Sequence, residues 1–141
     1  MTSDPLVGTW RLISWENRTA DGRISYPVGT DPLGYLFYSE DGYMFVAIMR
    51  PNRTTFGAGD LLRGTSEEKV QAAETYVSYC GTYDFHGETV IHHVQLSLFP
   101  NWVGVDQERL VDVTANRLTL STRPTLFDGI QQTARVVWER A

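Results

Sequence analysis

Glu88-Thr-Val-Ile-His-His-Val-Gln-Leu-Ser-Leu-Phe-Pro-Asn-Trp-Val-Gly104 is the stretch on which the reading of this chain turns. It begins as one long strand, rich in β-branched and apolar side chains. Proline has no backbone donor, so the strand ends or bends at Pro100. Strand side chains alternate faces with a period of two. His92 therefore sits with Val90, Val94, Leu96 and Leu98, and His93 with Ile91, Gln95 and Ser97. One imidazole faces inward and the other outward. If apolar faces point inward, His92 is the inner one; if the interior is polar, His93 takes that place. The apolar company of His92 favours the first arrangement.

Working outward, Gly81 to Phe85 and the His86-Gly87 turn precede this strand. Gln107 to Val113, a turn at Ala115-Asn116, Arg117 to Thr122, a reversal at Asp128-Gly129 and Gln132 to Arg140 follow it. Near the N-terminus, Val7 to Glu16 reads as a strand with Trp10, Leu12, Ser14 and Glu16 on one face and Arg11, Ile13 and Trp15 on the other. Asp21-Gly22 returns the chain through Ile24 to Tyr26. Gly34 to Tyr38 and Tyr43 to Arg50 flank Glu40-Asp41-Gly42, the clearest hairpin in the chain. Asn52 to Gly64 is polar and irregular, suited to a lid or entrance loop. Thr65-Ser-Glu-Glu68 is a capping box that predicts a helix to about Tyr79, with Val70, Ala73 and Val77 on one face. About nine strands and one helix, joined by short connections, predict an all-β fold. The most economical closure is an antiparallel up-and-down β-barrel of roughly 8–10 strands, residues 1–141 forming a single domain.

Composition narrows the function classes. A net charge of -5 with a single lysine, Lys69, leaves no basic patch for nucleic acid. No apolar run approaches the length that spans a membrane. One cysteine cannot form an internal disulfide, and the start Met-Thr-Ser-Asp-Pro lacks the pattern of a secretory signal; both predict a cytoplasmic protein.

Gly8-Thr9-Trp10 on the first strand, followed by a meander, resembles the lipocalin and fatty-acid-binding group. There the Trp plugs the barrel floor and packs against an Arg from the last strand; Arg135 or Arg140 would fill that part here. Leu6 to Leu12, Gly34-Tyr-Leu-Phe-Tyr38 with Asp41-Gly-Tyr-Met44, Tyr79-Cys-Gly-Thr-Tyr83, and His92-His-Val94 with Pro100-Asn-Trp-Val-Gly104 and Gln107-x-Arg109 are together similar to the microbial lipocalin-like domain proteins. The resemblance covers nearly the whole chain. It implies a small barrel that binds a ligand or, in some related barrels, acts as an isomerase or cyclase.

Adjacent strand histidines point apart, His86 lies at a turn and Cys80 stands alone, so no metal and no cofactor are expected. For acid–base chemistry the candidates are His92 or His93 as the proton carrier, Glu16 through the face it shares with Trp10, and Arg109 as a forked donor to an oxyanion. The candidates for ligand contact are Trp10, Tyr43, Phe45, Tyr83, Leu96, Trp102 and Arg135. No nucleophile elbow or dinucleotide fingerprint is present. Two readings follow. The first is a binder of a small, largely apolar molecule, aromatic or polyketide/terpenoid-like; the alternative is a cofactor-independent isomerase or cyclase. Aromatics on both faces of several strands also raise a homodimer.

Overall fold

The computed structural model describes residues 4–141. Ten strands form one antiparallel sheet: β1 (Gly8–Thr19), β2 (Ile24–Ser25), β3 (Leu33–Tyr38), β4 (Tyr43–Met49), β5 (Tyr76–Phe85), β6 (Thr89–Ser97), β7 (Asp106–Val113), β8 (Arg117–Ser121), β9 (Thr125–Phe127) and β10 (Ile130–Arg140). Eight of them close into a barrel in the order β1-β3-β4-β5-β6-β7-β8-β10, because β10 pairs back onto β1 from Trp10–Arg140 to Thr19–Gln132. The short strands β2 and β9 are additions paired to β1 and β10. Closure leaves no long open edge, as the run of hairpins predicts.

The interior is packed from every wall. Trp10, Leu12, Leu36, Tyr38, Met44, Val46, Ile48, Val90, Leu118 and Trp138 form one buried cluster. The indole of Trp10 is fully buried and donates from Nε1 to Leu6 O at 2.9 Å. The Arg140 guanidinium lies 4.0 Å from the centre of that ring and bonds Val7 O (2.6 Å), Pro5 O (2.8 Å) and Ala115 O (3.1 Å). Arg140, rather than Arg135, thus seals the barrel floor.

Two β-bulges set which side chains see the interior. In β1 the register slips between Leu12 and Ser14, so Ile13 is an extra residue. A one-residue slip exchanges the two faces. Trp10 and Leu12 face inward before it, Trp15 and the buried Asn17 after it, their side chains joined at 2.8 Å. The second slip lies between Cys80 and Gly81 of β5, which pair with Leu96 and Val94 of β6 and leave Gln95 over. Gly81 permits it: a Cβ there would stand 1.9 Å from His93 O.

The helix differs from the prediction. α1 (Ser66–Glu74) starts at the expected capping box, with both of its hydrogen bonds made, but it stops at Thr75, whose hydroxyl bonds back to Gln71 O at 2.7 Å. Tyr76-Val-Ser-Tyr79 is aromatic and β-branched, and it pairs with β4 as strand. Val77 belongs to the barrel wall, and no residue of α1 is buried. The segment 50–65 and α1 join β4 to β5 at the end of the barrel opposite Trp10, where the 3₁₀ turn Pro100–Trp102 also lies. Among the described residues no helix is long and apolar enough to cross a membrane.

Candidate functional site

Above the Trp10 floor the packing opens into a cavity of about 90 Å³. At roughly 30 Å³ per liquid water this is room for about three waters, and it is smaller than the roughly 150 Å³ that takes a benzene ring, so a ring-bearing guest has to extend through the open side of the cavity. Trp15, Ile48, Val77, Trp102, Val136 and Trp138 supply apolar walls. Trp102 reaches the site from the 3₁₀ turn that Pro100 starts, with its ring edge-on to Tyr79 at 5.7 Å and to Phe99 at 5.3 Å.

A polar row crosses this apolar space. His92 is the inward histidine, 1% exposed, and each ring nitrogen meets a tyrosine: Nε2 to Tyr38 Oη at 2.6 Å and Nδ1 to Tyr79 Oη at 2.8 Å. Burial first, then the Arg109 charge and His93, push its pKa down to about 3, so the imidazole is neutral at pH 7. A neutral ring donates from one nitrogen and accepts at the other. Tyr38 is fully buried and His92 is its one hydroxyl partner among the described residues, so its proton goes to Nε2. Nδ1–H then donates to Tyr79, and the Tyr79 hydroxyl proton is left for the cavity that Tyr79 lines. Burial raises the pKa of both tyrosines. At Tyr79 the nearby Arg109 charge opposes that rise.

Arg109 lines the cavity from β7, oriented by Gln107 Oε1 at 2.8 Å and Glu108 O at 3.0 Å. Both partners are neutral. Trp138 also lines the cavity, and its indole N–H is buried with no partner. The Thr122 hydroxyl oxygen already accepts from Ala134 N–H at 2.9 Å.

Several expected site residues lie elsewhere. The slip at Ile13 turns Glu16 outward, where it faces Arg135 across the strand pair and lies 3.8 Å from Arg18. Neither Glu16 nor Arg135 lines the cavity. Leu96 shares the inner face with His92 only in an unbroken strand; the slip at Gln95 sends it outward, 67% exposed. Tyr43 and Phe45 alternate with Met44 and Val46, which take the inner face, so both aromatics are on the outer wall. Trp10 and Tyr83 are inward but below the cavity; the Tyr83 hydroxyl is held by Asp4 (2.8 Å) and Ser39 O (3.1 Å). His93 is outside, bridging Asp84 and Asp106 at 2.7 Å each, and these carboxylates raise its pKa. Of the expected residues, the cavity brings together His92, Arg109 and Trp102.

Tyr38, Tyr79, Trp15 and Trp138 went unread as site residues. Alternation from Val136 could have flagged Trp138; Trp15 was hidden by the bulge, and a tyrosine in a strand carries no signal of its partner.

Residues 7–141 match the family model described as a lipocalin-like domain. The chain belongs to that family. This lipocalin-like protein is also similar to the 4'-hydroxy-3'-methoxypropiophenone carrier protein of Aspergillus oryzae, with 33% identity over 106 residues, which is 69% of this chain and 96% of that one. Among solved structures, an uncharacterized protein from Bacteroides eggerthii aligns over 96% of this chain and 99% of its own at 13% identity, with a TM-score of 0.48.

Proposed function

We propose that this lipocalin-like barrel is a cytoplasmic carrier that binds one small, ring-bearing, largely apolar molecule with a polar end. The observation that carries this reading is the cavity itself: an otherwise packed barrel keeps a space walled by three tryptophans and crossed by one line of hydrogen-bonding groups. Apolar walls with a few convergent polar groups are the usual make-up of a small-molecule site. The carrier protein of Aspergillus oryzae makes 4'-hydroxy-3'-methoxypropiophenone the first compound to try.

Binding is favoured over proton transfer. Both nitrogens of His92 are engaged, and an imidazole pushed down to about 3 is a weak base at neutral pH. The isomerase or cyclase alternative needs a ligand that breaks one of those tyrosine bonds first.

Three of the four tryptophans line the cavity, so ligand entry should quench intrinsic fluorescence in a saturable, one-to-one titration. Trp102→Ala removes one wall and should weaken binding at least tenfold, about the 1.4 kcal/mol expected of a modest aromatic contact. Native mass spectrometry of freshly purified protein checks the same claim without a chosen probe. Absence of quenching across a panel of aryl ketones, phenols and fatty acids, with no retained mass, would remove this reading.

A further inference from the structure

We infer that the molecule held in the cavity is bound as an oxyanion, the conjugate base of a ring-bearing weak acid, with its charged oxygen against Arg109 and Tyr79. This rests on the proposed binding function and adds the charge state of the guest. Arg109 is the one ionised side chain among the cavity-lining residues. No carboxylate lies within ion-pair distance of it among the described residues. The titratable groups that face it are Tyr79 from β5, His92 from β6 and Tyr38 from β3, all neutral at pH 7. Arg109 is half-buried at the cavity wall, and a guest oxyanion supplies the counter-charge that no protein carboxylate does.

The neutral hydroxyl beside it agrees. The Tyr79 hydroxyl proton is a donor without a protein acceptor, and the Thr122 oxygen is already in use. This hydroxyl and the Arg109 guanidinium are thus two donors lining a space that offers them no acceptor. A guanidinium with a neutral hydroxyl donor beside it suits a delocalised oxyanion, a phenolate or enolate conjugated to a carbonyl, or a carboxylate. An acidic phenol bound in this way gives up its proton to solvent on entry, with no other reactant involved.

A para-acylphenol is the probe, because its phenolate absorbs at longer wavelength than the neutral phenol. At a pH about one unit below the solution pKa of the probe, adding protein should raise the phenolate band in step with fluorescence quenching. The O-methyl ether, which cannot ionise, should bind at least tenfold more weakly. Arg109→Met should abolish the phenolate band and weaken the phenol at least tenfold more than it weakens the ether. A merely structural arginine would weaken phenol and ether alike and leave the phenolate band in place. Quenching by phenol and ether alike without a phenolate band overturns the oxyanion and leaves the carrier reading intact. If neither binds, and benzoate also fails, both fall.

A separate observation carries a second proposal: we infer that the outer wall of β3 to β6 is the contact face of a homodimer. Tyr35, Phe37, Tyr43, Phe45, Leu96 and Leu98 stand 40–67% exposed on it. A trough between them is lined without a single ionised side chain. With side chains of roughly 150–250 Å² about half exposed, these six present on the order of 600 Å². That is the upper end for an apolar patch on a monomer and, with the backbone and small residues between, approaches the roughly 800 Å² per partner of a stable complex. The uncharged trough, with Arg11 beside Tyr35 at its rim, offers nothing to select a charged partner or an anionic membrane, whereas a second copy matches it by symmetry. Light scattering across a concentration series should give twice the chain mass at high concentration. Phe45→Glu should give the monomer with an unchanged circular dichroism spectrum. Cys80, which lines the trough, should be alkylated faster in that variant than in the parent. A parent chain that stays monomeric at the highest concentrations overturns this, as does a dimer that Phe45→Glu leaves whole.

Discussion

Acidifying the protein from pH 7 to pH 3 should cost on the order of 4 kcal/mol of stability through His92 alone. In the unfolded chain this imidazole titrates near 6.5; in the barrel it is pushed down to about 3. Between those values the unfolded state binds one proton more than the folded state, so stability rises with pH across that window and is lost as pH falls through it. The cause is local: charging the ring requires a cation in an apolar interior, beside Arg109, and reverses the Tyr38 bond at Nε2. His93 acts with the opposite sign. Its folded pKa is raised by Asp84 and Asp106, so its contribution is present below 6.5 and is lost as pH rises through the folded value; it is small, because both carboxylates are solvated. Urea unfolding at pH 7, 6, 5 and 4 should show His92→Gln losing much less stability in acid than the parent, since its amide keeps a donor and an acceptor but does not titrate. Parallel decline of the two proteins would sink this account of His92.

Trp10→Ala should destabilise the barrel by about 3–5 kcal/mol, the range for emptying a buried aromatic site. Three losses coincide there. The ring is fully buried, Leu6 O loses its donor, and Arg140 loses the face on which it stacks while its bonds to Val7 and Pro5 depend on that position. Arg135→Ala, on the outer wall, should fall within about 0.5 kcal/mol of the parent. Denaturant midpoints of the two variants check the pair. If Trp10→Ala does not fold, Trp10→Phe, which keeps most of the volume but not the N–H donor, should still cost about 1–3 kcal/mol. A Trp10→Ala loss under about 1 kcal/mol, or an equal loss for Arg135→Ala, would show that the floor is not the keystone the geometry makes it.

Much of the barrel was legible because its signals are local. Turns such as Asp41-Gly42 and His86-Gly87 come with positive φ at their glycines, 93° and 88°, and alternation between them marks the walls. The capping box at Thr65 placed the start of α1 correctly, but its end was set by strand pairing of Tyr76 to Tyr79 with β4, a partner distant in sequence. The site was read in part. His92, Arg109 and Trp102 follow from alternation and from the bend at Pro100. Glu16 and Leu96 did not, because each lies beyond a bulge.

By itself the amino-acid order determined the meander, the bend at Pro100, and that two neighbouring imidazoles must part to opposite sides of one wall, since each depends on residues a few positions apart. Only the tertiary structure decided which face is inner past Ile13 and Gln95, that Arg140 covers Trp10, and that Tyr38 and Tyr79 clasp His92. Those outcomes depend on strand register and on contacts between distant segments: a single unpaired residue exchanges the faces of everything after it, and no local pattern records where the ladder slips.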